Sequence, residues 1–212
     1  MRKSFKISLT LFSLMLIAIG GYYFWYNNLN YRFETISDDK VYKSALIDPE
    51  DLEAYLVSHH IHTVIDLLDP TVQDKDNPAK QNEVDAEDAA IRAINEKYKS
   101  DIRHINIPSP QVPTQKTLKE FFEVLDDNSS YPVLIHCYHG MGRAVIYSAL
   151  YRIEYENWKN EDARMKARMF PVMVDSPLHH SSFAKGRGKG DFLINYVPRR
   201  EGEKSTFSKL SQ

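Results

Sequence analysis

The sequence predicts an α/β domain on a mostly parallel central sheet with helices on both faces, preceded by one N-terminal transmembrane helix. Three observations predict it. Short β-branched runs, Thr63-Val64-Ile65-Asp66-Leu67 and Tyr131-Pro132-Val133-Leu134-Ile135, alternate with helical stretches, the order that gives parallel strands covered on both sides. The second run leads through a glycine-containing loop, 136–143, directly into the helix-like Ala144–Tyr151. Upstream of all this, Ile7 to Tyr31 carries no charged side chain, and Ile7 to Tyr26 is long enough to cross a bilayer as a helix.

Taken in order, Arg2, Lys3 and Lys6 precede the apolar span, and Tyr22, Tyr23, Phe24, Trp25 and Tyr26 at its far end form an interfacial aromatic belt. A retained anchor is the preferred reading. A cleaved signal peptide, with Ala18 and Gly20 as the small residues before the cut, is the alternative. Residues 1–30 are therefore set apart as anchor or signal, and 31–212 as one domain, since roughly 180 residues suffice for a full core. Asn27 to Ser37 reads as a linker and Val41-Tyr42 as a brief strand. Asp48 caps a helix to about His59, with Pro49 at its first position and acids in its first turn. After the strand Thr63–Leu67 comes a polar loop to Gln81. A helix spans Glu83 to Lys99, with Val84, Ala90, Ile91, Ile94 and Tyr98 on its buried side. Ile102 to Ile107 is a strand, and Pro108, Pro110 and Pro113 stiffen the loop beyond it. Thr114 caps a helix to about Leu125 whose Leu118, Phe121, Phe122 and Leu125 face inward. A further helix covers Asn160 to Met169, and Phe192–Val197 is apolar enough to pack back on the core. The intervening Lys185–Gly190 stretch reads as a solvated basic loop.

Composition narrows the chemistry. The net charge of −2 provides no global basic field for nucleic acid. The single cysteine excludes internal disulfides and multi-cysteine zinc sites. His59, His60 and His62 cluster only because a helix ends and a strand starts there, so no metal or other cofactor is expected.

That cysteine lies in His136-Cys137-Tyr138-His139-Gly140-Met141-Gly142-Arg143. A strand–loop–helix of this kind aims backbone N–H groups and a helix N-terminus at one spot, which binds an oxyanion. Arg143 adds a planar, two-pronged grip on phosphate, and a cation at a helix start is electrostatically misplaced unless an anion joins it. In that field Cys137 is stabilised as the thiolate, the nucleophilic form. Gly140 and Gly142 allow the tight turn, while Tyr138, His139 and Met141 offer backbone N–H groups.

The His-Cys-x5-Arg loop resembles the signature of cysteine-dependent protein tyrosine and dual-specificity phosphatases. Val41-Tyr42-Lys43-Ser44 and His62–Leu67 resemble the early segments of the small bacterial and atypical dual-specificity type. The resemblance runs from about Val41 to Leu150. It implies a dual-specificity-phosphatase-like fold and hydrolysis of phosphomonoesters through a cysteinyl-phosphate, with Cys137 as nucleophile and Arg143 on the phosphoryl oxygens. His136 would anchor the loop, and Tyr138, His139, Gly140, Met141, Gly142 and Ala144 would surround the phosphate. Two departures stand out. The family usually has Ser or Thr after the arginine, where this chain has Ala144, which slows release of the thiolate. The family's general-acid Asp would fall in Ile107–Pro113, which has no acid. Asp69, Asp74, Asp76, Asp175, His179 and His180 are the alternatives, and the sequence does not rank them. The implied partners are a phosphorylated protein or a phospholipid, and a membrane. A phosphate-binding pseudophosphatase and a rhodanese-like sulfur transferase are the competing readings. The short N-terminal arm of a signal-anchor stays in the cytoplasm, placing the domain outside, in the periplasm if the cell is bacterial.

Overall fold

The computed structural model describes residues 2–72, 78–168, 173–177 and 180–200. Helix α1, Arg2–Asn28, leads into β1, Glu34–Ser37, and β2, Val41–Ala45. There follow α2 (Pro49–Ser58), β3 (Thr63–Asp66), α3 (Gln81–Tyr98), β4 (Arg103–Asn106) and α4 (Gln115–Leu125). The chain closes with β5 (Val133–Cys137), α5 (Arg143–Tyr155), α6 (Asn160–Met165) and α7 (Gly188–Asn195). The sheet order is β1-β2-β5-β3-β4. β2, β5, β3 and β4 are parallel and β1 is antiparallel to β2. The expected α/β architecture is what the chain adopts.

Strand β5 is central and buried along its whole length, as a continuous apolar run between two parallel neighbours should be. Its register puts Cys137 beside Ala45 and His136 beside both Ser44 and Asp66, so the loop begins at the carboxyl edge of the sheet. On one face lies the larger core, where Phe121, Phe122, Ile146, Tyr147, Leu150, Phe183 and Leu193 pack against the sheet. On the other, Leu52 and Leu56 of α2 meet Ile91 and Ile94 of α3. Each such fully buried side chain contributes about 1.5–3 kcal/mol. These two layers hold the ends of β5 and α5 in fixed relation.

Five expectations need correction. The supposed linker contains β1, a polar edge strand fixed by the cross-strand pair Glu34–Lys43 at 3.0 Å. Tyr98 is exposed, and it is Glu87 that shares the buried side of α3. Helix α6 ends at Met165, and Met169 lies outside the described residues. The basic glycine stretch is not simply a loop, because Gly188, Lys189 and Gly190 form the first turn of α7. Thr114 caps α4 as expected, accepting from Thr117 N–H at 3.3 Å. Asp48 precedes α2 but makes no side-chain cap, and its Oδ2 accepts from the Tyr31 hydroxyl at 3.0 Å. In α1, Ile7–Asn27 is long and apolar enough to cross a membrane, and its large apolar side chains are exposed.

Candidate active site

The loop between β5 and α5 is tied down from outside. Tyr138 O accepts from Leu46 N–H at 3.3 Å, and His139 O accepts from Arg32 Nη1 at 3.0 Å. In a trans peptide the C=O and the following N–H point in opposite directions. Anchoring those two carbonyls therefore turns the His139 and Gly140 N–H groups to the other side of the loop, and Gly140 N–H reaches Cys137 O at 3.3 Å. Gly140 adopts φ +64°, and a Cβ there would stand 2.5 Å from Ala45 N. Only glycine fits. Gly142 precedes α5 with φ −114°, so its lack of a side chain serves space rather than backbone freedom. Tyr138 and His139 are half-buried, their rings meeting edge to face, and Met141 is exposed at the rim.

Cys137 is buried, and its Sγ accepts the N–H of Ala144, in the first turn of α5, at 3.4 Å. The sulfur therefore faces the positive, N-terminal end of α5. Arg143 is also buried. Its Nη1 donates to Leu67 O at 2.6 Å and Ser109 O at 3.3 Å, so the residue that follows β3 and the proline-rich loop both orient the guanidinium. Ala144 is fully buried at the start of the helix.

Under the loop, His136 belongs to a buried charged cluster that sequence reading missed. Its Nε2 lies 3.0 Å from Glu87 Oε2 and 3.7 Å from Asp66 Oδ1. His104 Nε2 lies 3.2 Å from the same Glu87 oxygen. These are ion-pair distances without aligned hydrogen bonds. Burial opposes charge on His136, but Glu87 and Asp66 outweigh it and raise its pKa to about 9. Burial likewise opposes charge on His104, and Glu87 and Asp66 again raise its pKa. Glu87 is pushed up by burial and pulled down further by the two imidazoles, and ends below its ordinary range. Burial raises Asp66. Asp66, Glu87 and His136 bring ligand-type atoms within 4.8 Å of one another.

The candidate proton donors separate. Asp175 accepts two hydrogen bonds from Arg164, at 2.9 and 2.7 Å, and these hold its carboxyl down at about 2. A group fixed as carboxylate has no proton to give. Asp69 accepts from Thr71 N–H at 3.0 Å and its hydroxyl at 2.6 Å. His180 is exposed, and Asp74, Asp76 and His179 lie outside the described residues. Position 111 in the proline-rich loop is Gln, whose Oε1 accepts from Lys189 Nζ at 2.6 Å.

Beside the loop, a groove of about 600 Å³ runs from Tyr22 and Tyr26 of α1, past Arg32, Lys43 and Arg152, to Gly140 and Met141. A second cavity, about 870 Å³, lies between α4 and α7, and no residue of the cysteine loop lines it.

Comparison with known proteins gives two kinds of finding. The family described as "DSP-PTPase phosphatase fused to NAD+ Kinase" matches residues 33–185. No curated protein sequence matches. Among solved structures, the core catalytic domain of the PP-IP phosphatase SIW14 from S. cerevisiae is 14% identical with TM-score 0.54, covering 84% of this chain and 92% of that one. P. aeruginosa TpbA is 18% identical with TM-score 0.53, covering 79% and 86%. A TpbA variant in complex with pTyr is 15% identical with TM-score 0.52, covering 84% and 91%. At these identities the likeness is one of fold.

Proposed function

This chain belongs to the DSP-PTPase family of phosphatases, and from that premise we propose that it is a membrane-anchored enzyme that hydrolyses phosphomonoesters through a cysteinyl-phosphate on Cys137. The observation that carries the reading is the Cys137 sulfur facing the first turn of α5, with the buried Arg143 next in the chain to the amide it accepts from. The thiolate attacks phosphorus in line, and the P–O bond to the leaving group breaks. Arg143 and the inward N–H groups take up charge on the equatorial oxygens. Water then attacks phosphorus, the P–S bond breaks, and inorganic phosphate leaves. Phosphotyrosine or phosphoprotein is the default substrate, in keeping with the pTyr bound to the TpbA variant.

A second reading, a phospholipid or phosphoinositide substrate, draws support from the groove joining the aromatic end of α1 to Met141. A third, a phosphate-binding pseudophosphatase, draws on Ala144 and on the acid-free loop Ile107–Pro113. The test uses the full chain in detergent micelles. Phosphate release from phosphotyrosine peptide, phosphoserine peptide and phosphoinositide is measured for wild type and Cys137→Ser. The proposal expects release by wild type alone. Equal release by both proteins ends the cysteine mechanism. Binding of tungstate by wild type with no turnover of any substrate establishes the pseudophosphatase instead.

A further inference from the structure

The groove that ends at Gly140 and Met141 carries more positive charge than its own carboxylate balances. Arg32, Lys43, Arg152, Lys166 and Arg168 line it, and Glu34 is the one acid among its lining residues. Glu34 is already engaged, by Lys43 Nζ at 3.0 Å and by the Tyr26 hydroxyl at 3.4 Å. Arg32 donates to Asn27 Oδ1 and to His139 O, neutral acceptors that orient its charge without cancelling it. Among the described residues, neither Arg152 nor Arg168 has a salt bridge, and the Nε of each is buried without an acceptor. Arg152 is only 5% exposed. The Trp158 ring, centred 5.1 Å from its Cζ, attracts the charge but offers no lone pair to its N–H groups. The last turn of α5 supports the charge as well. Burial still pulls the Arg152 pKa below the ordinary arginine range, with Glu34 and Glu156 opposing from beyond salt-bridge reach. A buried cation without a partner is costly, and an anion in the groove would remove that cost.

The opposite wall of the groove narrows the choice of anion. Tyr22, Trp25 and Tyr26 line it from the end of α1, whose span Ile7–Asn27 is long and apolar enough to cross a membrane. Aromatic side chains in that position sit at headgroup level, the depth of the lipid phosphates. Earlier apolar side chains of α1, Ile17 and Ile19 among them, are exposed, so acyl chains can lie along the helix next to the groove. Its volume of about 600 Å³ suits a small-molecule ligand. We propose that the groove binds an anionic glycerophospholipid, with Arg152 and Arg168 on its phosphodiester and its acyl chains against α1. The arginines suit any phosphate, and the aromatic wall selects the lipid. A phosphodiester carries no monoester for Cys137 to attack, so this lipid is a ligand, distinct from the phospholipid substrate considered above. The inference rests on α1 being retained as an anchor, and it goes beyond the phosphatase reading.

The test titrates the full chain in detergent micelles with phosphatidylglycerol or phosphatidylcholine and counts bound lipid by native mass spectrometry. Wild type should hold phosphatidylglycerol with a Kd at least about tenfold below that for phosphatidylcholine, whose ammonium offsets its phosphate. Arg152→Met should erase that difference by weakening phosphatidylglycerol alone, and Arg168→Met should narrow it. Arg152→Lys should keep part of it, since a point charge stands in for the planar fork. Arg168 is less buried, so Arg168→Met decides the matter if Arg152→Met does not fold. Equal affinity of wild type for the two lipids overturns the inference, and so does wild-type selectivity in the folded arginine variants. Displacement of the lipid by inorganic phosphate at a matching Kd also overturns it, since the site would then serve a free anion. Cys137→Ser should bind the lipid as wild type does, which keeps this result separate from the phosphatase reading. Release of the full chain from membranes by alkaline carbonate would remove the anchor and this inference with it. Loss of lipid selectivity in a chain still held by the membrane removes this inference alone.

Discussion

At Gly140 a methyl group has nowhere to go. It would sit 2.5 Å from Ala45 N and 2.8 Å from Ser44 C, on a residue already at φ +64°. Gly140→Ala should cost at least about 1–3 kcal/mol from backbone strain alone, and the closure of the loop with it. A thermal melt and phosphate release check this, and an unchanged melting temperature contradicts the packing. Arg143 offers a different test. One nitrogen reaches two carbonyls, Leu67 O and Ser109 O, which a lysine cannot reproduce while gripping two phosphoryl oxygens. Arg143→Lys should lower kcat/KM by about a hundredfold or more, the scale of removing one transition-state donor. Rates within a few-fold of wild type would remove Arg143 from the proposed role. At Ala144, a hydroxyl next to the Sγ-bonded amide should speed breakdown of the phosphoenzyme. Single-turnover kinetics of Ala144→Ser should show a rate raised about tenfold if thiolate departure limits turnover, and an unchanged rate counts against that limit.

At the scale of elements, α3 reaches under β5 through charge. Glu87 on α3 faces His136 on β5 and His104 on β4, so three elements meet at one buried carboxylate. The folded pKa of His136, about 9, stands above its ordinary 6.5. Its contribution to stability is therefore fully present below about pH 6.5 and is lost as pH rises through about 9. The loss is about 3 kcal/mol for a shift of this size. Chemical denaturation at pH 6.5 and 9.5 should show that decline in wild type. Glu87→Gln should start less stable and vary less with pH. A wild-type stability that is flat over this interval contradicts the charged cluster. This network was illegible in the sequence because Glu87 sits in a polar helix where a carboxylate reads as solvent-facing. Its partners come from strands 17 and 49 residues away. Strand β1 was hidden for a related reason: Glu34-Thr35-Ile36-Ser37 is short and polar, and only its pairing with β2 makes it a strand. By contrast, β5, the loop and α5 could be read directly, because apolar run, glycines and helix onset are contiguous. Lys189 could not, since its contact with Gln111 depends on how α7 docks.

For the whole molecule, the chain from α1 to the loop is short and anchored. Tyr31 O accepts from Ala45 N–H at 2.6 Å, and Arg32 donates to His139 O, so the segment leaving α1 braces the loop it precedes. An anchor retained in the membrane should keep the full chain in the pellet after alkaline carbonate extraction, whereas residues 31–212 alone should be released. Release of the full chain would favour the cleaved-signal alternative. The two-faced α/β architecture and the position of Cys137 at its carboxyl edge were predictable from strand–helix alternation. The brace and the groove were not, because they join residues 22–32 to residues 139–141 and 152 across the fold. The central claim is that Cys137 carries the phosphoryl group. Its most direct test is to mix the full chain with a ³²P-labelled phosphotyrosine peptide, quench in acid and locate the label by mass spectrometry. The account predicts one labelled site, the sulfur of Cys137, with no label in Cys137→Ser. Label on any other residue, or turnover by the serine variant, would contradict it.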